Sequence, residues 1–290
     1  MRKLISLLAL VGLLSGGCAT MRQPFPRPAD SLSVGVSDDK PSYQGDWPPG
    51  AYEIPNTNIY VSTVNGRQDT MGARFLFGFL GQELAGGSIA GGAKDKMAGQ
   101  EKALEFDLNA MTADALKRVL AKGNDTKRFS IGASEKASSV VLKPYVVFSH
   151  IDDNTARLWV VLYVHLKGDD QNPKTWYCRY IAGVGKPRPM SGPGGWTENN
   201  GEAAGQLVGY NLDRDLEVMF CDFNGKLRNA NAPLAYYNGR WIFYRMPHAV
   251  EVQVLKQTDY FDVVLPQIDD DEFYSGVNIL PKDFNEAQSQ

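Results

Sequence analysis

Histidine, serine and carboxylate side chains are the groups in this chain that could perform acid–base, nucleophilic or metal chemistry. The three histidines, His150, His165 and His248, do not fall in a metal-ligand spacing such as HExxH. The nearest approach to a serine nucleophile motif is Gly-Gly-Ser-Ile-Ala at residues 86–90, which lacks the final glycine. The acidic run at residues 269–272 lacks the spacing of a calcium loop and is interpreted as a solvated turn. The sequence therefore predicts no catalytic residues, no metal site and no cofactor.

The cysteines offer sulfur chemistry of two kinds. Cys178 lies in a strand-like run and Cys221 in a helix-like run, and a disulfide between them would suit an oxidising compartment. The alternative is two separate buried thiols, because cysteine is among the most frequently buried residue types. Cys18 stands apart, since it ends an apolar segment at the N-terminus.

The first 17 residues have the composition of a cleaved export signal. Arg2 and Lys3 precede an almost wholly apolar run from Leu4 to Leu14, and small residues follow that run. Its length suits the apolar core of a secretory signal, roughly 7–15 residues. A bilayer span needs ~20 apolar residues, so we expect residues 1–17 to be removed rather than retained in the membrane.

The stretch Ser15-Gly16-Gly17-Cys18 resembles the lipobox of bacterial lipoproteins, except that Ser15 stands where leucine is usual. The resemblance implies cleavage before Cys18, a diacylglyceryl group on its thiol and a further acyl chain, such as palmitate, on its new amine. Several acyl chains anchor stably because each buried CH₂ contributes about 0.8 kcal/mol. Ala19, rather than aspartate, follows the cysteine and implies export to the outer membrane, on its periplasmic side. The alternative is an ordinary signal peptide with a chance cysteine.

Composition bounds the classes of partner. The chain has 290 residues, a net charge of −3 and 43% hydrophobic residues, which is enough for a real core. A mildly acidic chain without a basic cluster argues against nucleic acid as a partner. No block of lysine and arginine suggests an electrostatic hold on anionic lipid either.

Two helices are predicted from apolar residues that recur at steps of three and four. The first covers residues 100–122 and is stopped by Gly123. The second covers residues 202–224. Their apolar faces are Leu104, Leu108, Met111, Ala115 and Val119 in the first helix, and Val208, Leu212, Leu216, Met219 and Phe223 in the second.

Strands are predicted at residues 58–64, 129–131, 140–151, 156–167, 174–183, 240–246, 250–255 and 260–266. The turn residues 152–155 predict a hairpin between the third and fourth of these. In the strand at 156–167, the even-numbered face is predicted as core, and the odd-numbered face, with Trp159 and His165, as half-exposed. The fold class is therefore α+β, an antiparallel sheet of about five to seven strands covered by two main helices.

We divide the chain into a signal peptide (1–17), a lipidated tether (18–57), an α+β domain (58–266) and an acidic tail (267–290). Proline-rich sequence in the tether favours extended chain. Over residues 58–228 the order of elements resembles the βαββ-type periplasmic domains of outer-membrane assembly lipoproteins, including the curli-secretion and transport-auxiliary groups. No diagnostic motif accompanies this resemblance, so it implies no residue roles.

The segment Phe75–Ala93 is rich in glycine and carries a single charge, Glu83. One interpretation is a short buried helix followed by a flexible glycine loop, because each glycine costs about 1 kcal/mol in a helix. The other is a membrane-contacting or oligomer-packing segment, in which Gly87 and Gly91 form a GxxxG step. We favour the loop.

Aromatic residues are the remaining clue to binding, since they can anchor a protein partner or stack on sugars. The alternative is that strands simply favour aromatic residues. Two clusters stand out, the first formed by Trp176, Tyr177 and Tyr180 and the second by Tyr236, Tyr237, Trp241, Phe243 and Tyr244.

Together these features predict a periplasmic lipoprotein of the outer membrane that acts as a non-enzymatic binding or assembly component of the cell envelope. Its partners would be the membrane, through the lipid on Cys18, and an envelope protein. A first alternative is a lipid-anchored hydrolase of cell-wall or polysaccharide material, whose carboxylates or Cys–His pair would meet only in the fold. A second alternative is a subunit of an oligomeric envelope channel that uses Phe75–Ala93. The oligomeric state is not indicated by the sequence.

Overall fold

The structure is a computed structural model that describes residues 31–37, 51–62, 91–95, 97–123, 126–168, 175–229, 231–242, 248–267 and 276–288. These residues form a mixed α+β fold around one large open sheet. Its strands are β1 (Leu32–Val36), β2 (Tyr52–Glu53), β3 (Ile59–Ser62), β4 (Phe129–Ile131), β5 (Val140–His150), β6 (Thr155–Leu166), β7 (Trp176–Ala182), β8 (Arg188–Pro189), β9 (Leu234–Gly239), β10 (His248–Gln257), β11 (Phe261–Pro266) and β12 (Val277–Pro281).

Two helices of some length, α1 (Leu108–Ala121) and α2 (Glu202–Phe223), pack on this sheet. Short 3-10 helices cover Glu101–Leu104, Glu198–Gly201 and Lys282–Gln288, and residues 91–95 are also helical. The second predicted helix is confirmed. The first begins at residue 108 rather than 100, because the Asp107 carboxylate accepts a hydrogen bond from the Ala110 amide (2.9 Å) and caps a new helix there.

The sheet is larger than predicted and is not purely antiparallel. Its twelve strands follow the order β2-β3-β5-β6-β7-β12-β11-β10-β9, with β1 beside β4 and β5, and β8 beside β6. The pairs β1–β4, β1–β5, β3–β5 and β7–β12 are parallel. The hairpin of β5 and β6 is confirmed, and the Asp152 carboxylate accepts hydrogen bonds from the amides of Asn154 and Thr155 in its turn.

Several strands lie where none was predicted. β1 comes from the segment predicted as a tether, and its Leu32 and Val34 side chains are buried. β12 comes from the predicted acidic tail, and all five of its residues are buried. The strand predicted at 240–246 is wrong at its start: the last strand before that point is β9, residues 240–242 lie outside any strand, and residues 243–246 are not described.

Two hydrophobic cores lie on opposite faces of the sheet. The first is covered by α1 and α2 and contains the even-numbered face of β6, as predicted. The odd-numbered face of β6 was predicted to be half-exposed, but Trp159 and Val161 are buried there. They share a second core with Val252 of β10, Val264 of β11 and Phe284. The prediction is confirmed at Tyr163 and His165, which are half-buried, and is wrong at Trp159 and Val161, because the sheet continues past β7 and its far strands return over that part of the face.

Candidate functional site

Several predicted sites lie outside the described residues. These are the lipidation site Cys18, most of Phe75–Ala93, the acidic run at 269–272, and Phe243 and Tyr244. Among the residues that are described, no helix is both long and apolar enough to cross a membrane.

The three histidines lie on three different strands. His150 of β5 is buried, with its Nδ1 2.9 Å from the carbonyl oxygen of Ser62. His165 of β6 stands edge-on to Tyr163 and Tyr177, with ring centroids 4.7 and 4.5 Å away, and burial lowers its pKa to about 4, helped by the charge of Lys143. His248 begins β10. Across the described ranges, no three or more histidine, cysteine, aspartate or glutamate residues gather in a way that could hold a metal ion.

Cys178 of β7 and Cys221 of α2, the two cysteines in the described part of the chain, are not joined by a disulfide. Cys178 adjoins a buried polar network centred on Asp222. Its carboxylate accepts hydrogen bonds from Tyr180 Oη (2.8 Å) and from Arg228 Nε (3.0 Å) and Nη2 (2.9 Å). Burial raises the pKa of the Cys178 thiol, which keeps it protonated and weakly nucleophilic. The network therefore holds the end of α2 to β7 rather than activating sulfur.

The predicted aromatic clusters do not form aromatic surfaces. Of the described members, only Tyr177 and Tyr236 are exposed, by 48% and 71%. Alternation along β7 and β9 turns Trp176, Tyr180 and Tyr237 into the cores. Trp241, which follows β9, is buried in the second core beside Phe284. The preference of strands for aromatic residues therefore explains most of both clusters.

The most distinctive surface feature is a groove that the sequence did not reveal. It lies between the proline- and glycine-rich loop that follows β7 and the first turns of α2, with a cavity volume of about 270 Å³. We call it the cationic groove. It is lined by Gly185, Lys186, Arg188, Trp196, Ala203, Gln206, Leu207 and Tyr210.

Arg188 is held in place at the rim of the cationic groove. It belongs to β8, which pairs with the start of β6 through Ala156. Its guanidinium lies over the ring of Trp196, 5.3 Å from the ring centroid. Trp196 is itself fixed, because it is buried and its Nε1 donates to the carbonyl oxygen of Ala156 at 2.9 Å. The stacking contact with Trp196 therefore holds the Arg188 guanidinium at the groove.

The loop that carries Lys186 is fixed from below. Arg157 of β6 is buried, and its Nη1 donates to the carbonyl oxygens of Gly183 (3.1 Å) and Gly185 (2.7 Å). Asn211 of α2 donates from Nδ2 to the carbonyl oxygen of Val184 at 3.2 Å. Gly185 has φ +128°, a conformation that favours glycine. These hydrogen bonds therefore fix the backbone of the loop that forms the floor of the groove.

The groove carries uncompensated positive charge. Within the described chain, neither Lys186 nor Arg188 forms an ion pair, and no carboxylate belongs to the lining. Beneath them, the buried Arg157 forms a long ion pair with Asp283, with 3.9 Å between Nη2 and Oδ1. The nearby Glu202 carboxylate accepts a hydrogen bond from Nε2 of Gln206 at 3.1 Å. Two exposed cations therefore stand at a cavity whose described lining holds no carboxylate.

A second cavity, of about 410 Å³, lies near the start of α1 and is lined by Asn56, Thr57, Asn58, Glu105, Phe106, Asp107, Leu108 and Asn109. Two of its polar side chains have structural roles. Thr57 Oγ1 donates to the Ile54 carbonyl oxygen, and Asp107 caps α1. We therefore regard the cationic groove as the better candidate for binding.

The signal for the groove was present in the sequence only as Lys-Pro-Arg-Pro at residues 186–189, within a loop rich in proline and glycine.

No protein-family model matches the chain, and no similar protein is found among curated proteins or solved structures.

Proposed function

We propose that this protein is a non-enzymatic binding or assembly component of the cell envelope, held on the periplasmic face of the outer membrane by lipid on Cys18. The N-terminal pattern supports the anchor. The observation that carries the binding role is that two cations, Lys186 and Arg188, line one groove without an ion pair among the described residues, with Arg188 stacked on Trp196. An envelope partner with a negatively charged group would bind there.

Binding is favoured over hydrolysis by the placement of the reactive side chains. A Cys–His pair is not formed by Cys178 and His165, because cross-strand pairing matches Cys178 with Val164 and His165 with Tyr177. Adjacent residues of a strand point to opposite faces of the sheet, so the thiol and the imidazole face away from each other. The raised pKa of Cys178 also disfavours a nucleophilic thiolate. No described feature specifically favours the channel subunit.

The anchor is tested by the Cys18→Ser variant expressed in a bacterium with an outer membrane. Wild-type protein should fractionate with outer membranes and require detergent for release. The variant should remain unprocessed or be released without detergent, because no acyl chain can be attached to serine in this pathway. Unchanged partition and unchanged processing of the variant would contradict the anchor.

The binding role is tested by cross-linking the lipidated protein in intact cells and comparing wild type with Lys186→Gln/Arg188→Gln. The expected result is a cross-linked partner that is lost or strongly reduced in the double variant. Lys256→Gln, on an exposed position of β10, is the matched control for loss of a positive charge. Equal cross-linking in all three proteins would remove the groove from the proposed function.

A further inference from the structure

We infer that the cationic groove binds a phosphate-type oxyanion; this deepens the proposed function and rests on it. The first support is charge. Lys186 and Arg188 stand two residues apart, at the end of the loop after β7 and in β8, and the groove lining contains no carboxylate. An anion entering the groove would form charge-assisted hydrogen bonds, which are about twice as strong as neutral ones. No internal ion pair would have to be broken first.

The second support is the set of hydrogen-bond donors. Arg188 offers a planar fork of N–H groups, and Lys186 offers a compact ammonium charge. Tyr210 and Gln206 also belong to the lining; a tyrosine side chain carries a hydroxyl donor, and Gln206 retains one N–H beyond the one given to Glu202. Donors of several kinds around one cavity suit an anion with three or four oxygens. A carboxylate, which has two, would leave part of this set unused.

The third support is the rigidity of the site. Stacking on Trp196 fixes the arginine fork, and the hydrogen bonds of Arg157 fix the lysine loop. Binding therefore orders few additional groups, which lowers the entropic cost of capturing a small anion. Of the two cations, only Lys186, whose side chain is exposed, has its side chain left to be ordered by the anion.

The fourth support concerns the size of the ligand. A cavity of about 270 Å³ holds one phosphate group and a small part of the molecule that carries it, with Leu207 and Tyr210 as the neighbouring wall. Nucleic acid does not fit this pattern, because it is bound through many phosphate contacts spread over a basic surface. The ligand is therefore a single phosphate group, either on a lipid headgroup or on a soluble molecule.

The test uses the full chain carrying Cys18→Ser and titrates it with inorganic phosphate at low ionic strength by calorimetry. Lys186→Gln and Arg188→Gln should each weaken binding about tenfold, as expected for loss of one hydrogen-bonded charge. Arg188→Lys should also weaken it severalfold, because lysine keeps the charge but loses the fork. Lys256→Gln should leave binding unchanged.

Any of the following results would overturn the inference: no measurable phosphate binding, binding unaffected by both glutamine variants, or acetate that competes as well as phosphate does. Full binding by Arg188→Lys would likewise overturn it, since net charge alone would then suffice. Lys186, Arg188 and Lys256 are exposed, so circular dichroism of each of their variants should match that of the unsubstituted Cys18→Ser protein.

Vesicles identify the source of the phosphate. Binding to phosphatidylglycerol vesicles that is lost in Lys186→Gln/Arg188→Gln, with none to phosphatidylcholine vesicles, assigns a lipid headgroup. Phosphate binding without vesicle binding assigns a soluble ligand. The two proposals fail separately. If wild-type protein binds no phosphate but its cross-linked partner still depends on Lys186 and Arg188, only the inference of an oxyanion ligand is refuted. Phosphate binding by a protein whose partition ignores Cys18 refutes only the anchor.

Discussion

Replacement of Asp215 by asparagine should make the protein progressively more stable than wild type as the pH rises. Asp215 lies on α2, is fully buried, and neither of its carboxylate oxygens has a hydrogen-bond partner in the described structure. One turn earlier, the side-chain oxygen of Asn211 is also buried without a partner. A buried polar group left in this state costs roughly 1–3 kcal/mol, and a charged one costs more.

Burial raises the pKa of Asp215 well above its ordinary value. In the unfolded chain the carboxyl ionises near pH ~3.9, whereas in the folded protein it stays protonated to higher pH. Its contribution is therefore fully present below the unfolded-state pKa and is lost as the pH rises towards the folded-state pKa. Over that window the loss approaches about 1.4 kcal/mol per pH unit. Asparagine has nearly the same shape but does not ionise, so Asp215→Asn escapes this loss.

The assay is urea unfolding of wild type and Asp215→Asn, followed by tryptophan fluorescence at pH 4, 5, 6 and 7. The free energy of unfolding of the variant minus that of wild type should increase at each step above pH 4. Asp114→Asn, at an exposed position on α1, controls for the removal of a carboxylate from a helix. A difference that stays constant from pH 4 to pH 7 would refute the reasoning, because the Asp215 carboxyl would then be solvated or partnered.

Three further predictions concern the fold and the groove. Arg228→Met should lower the free energy of unfolding, measured by urea titration, by about 3 kcal/mol. The reason is that the buried carboxylate of Asp222 loses its ion pair. A decrease of less than about 1 kcal/mol would contradict this prediction. Gly185→Ala should lower it by roughly 1–2 kcal/mol and weaken phosphate binding, because alanine is strained at positive φ; full stability together with full binding would show that the loop adapts. Cys178 and Cys221 should both react with a thiol reagent in unlipidated protein denatured without reductant, and the absence of reactive thiols would restore the candidate disulfide.

Local patterns in the sequence were sufficient for the parts of the fold whose partners are near in the chain. The apolar periodicity of residues 202–224 predicted α2, and the turn at 152–155 predicted the hairpin of β5 and β6. By contrast, β1 and β12 are short, and they pair with strands that lie far away along the chain. Their flanking proline and acidic residues indicated extended or solvated chain instead.

The groove escaped prediction for a related reason. Lys186 and Arg188 look like ordinary loop cations in the sequence, and nothing nearby marks them as a pair. Their arrangement depends on Trp196 stacking, on β8 pairing with β6, and on a buried arginine that holds the loop from beneath. The β8–β6 pairing and the hydrogen bond of the buried arginine join segments roughly 30 residues apart, so spacing along the chain could not show them.

The position of β12 has a consequence for how the protein folds. Among the described strands, β12 is the one that joins the part of the sheet containing β7 to the part containing β11, through pairs such as Val277 with Tyr180. That pairing closes a loop of roughly 100 residues, and contacts of such long range slow the search for the native state. We therefore expect the β5–β6–β7 meander to acquire protection from hydrogen exchange before strands β9, β10 and β11 do, with docking of β12 as the late step that makes unfolding of the two halves cooperative.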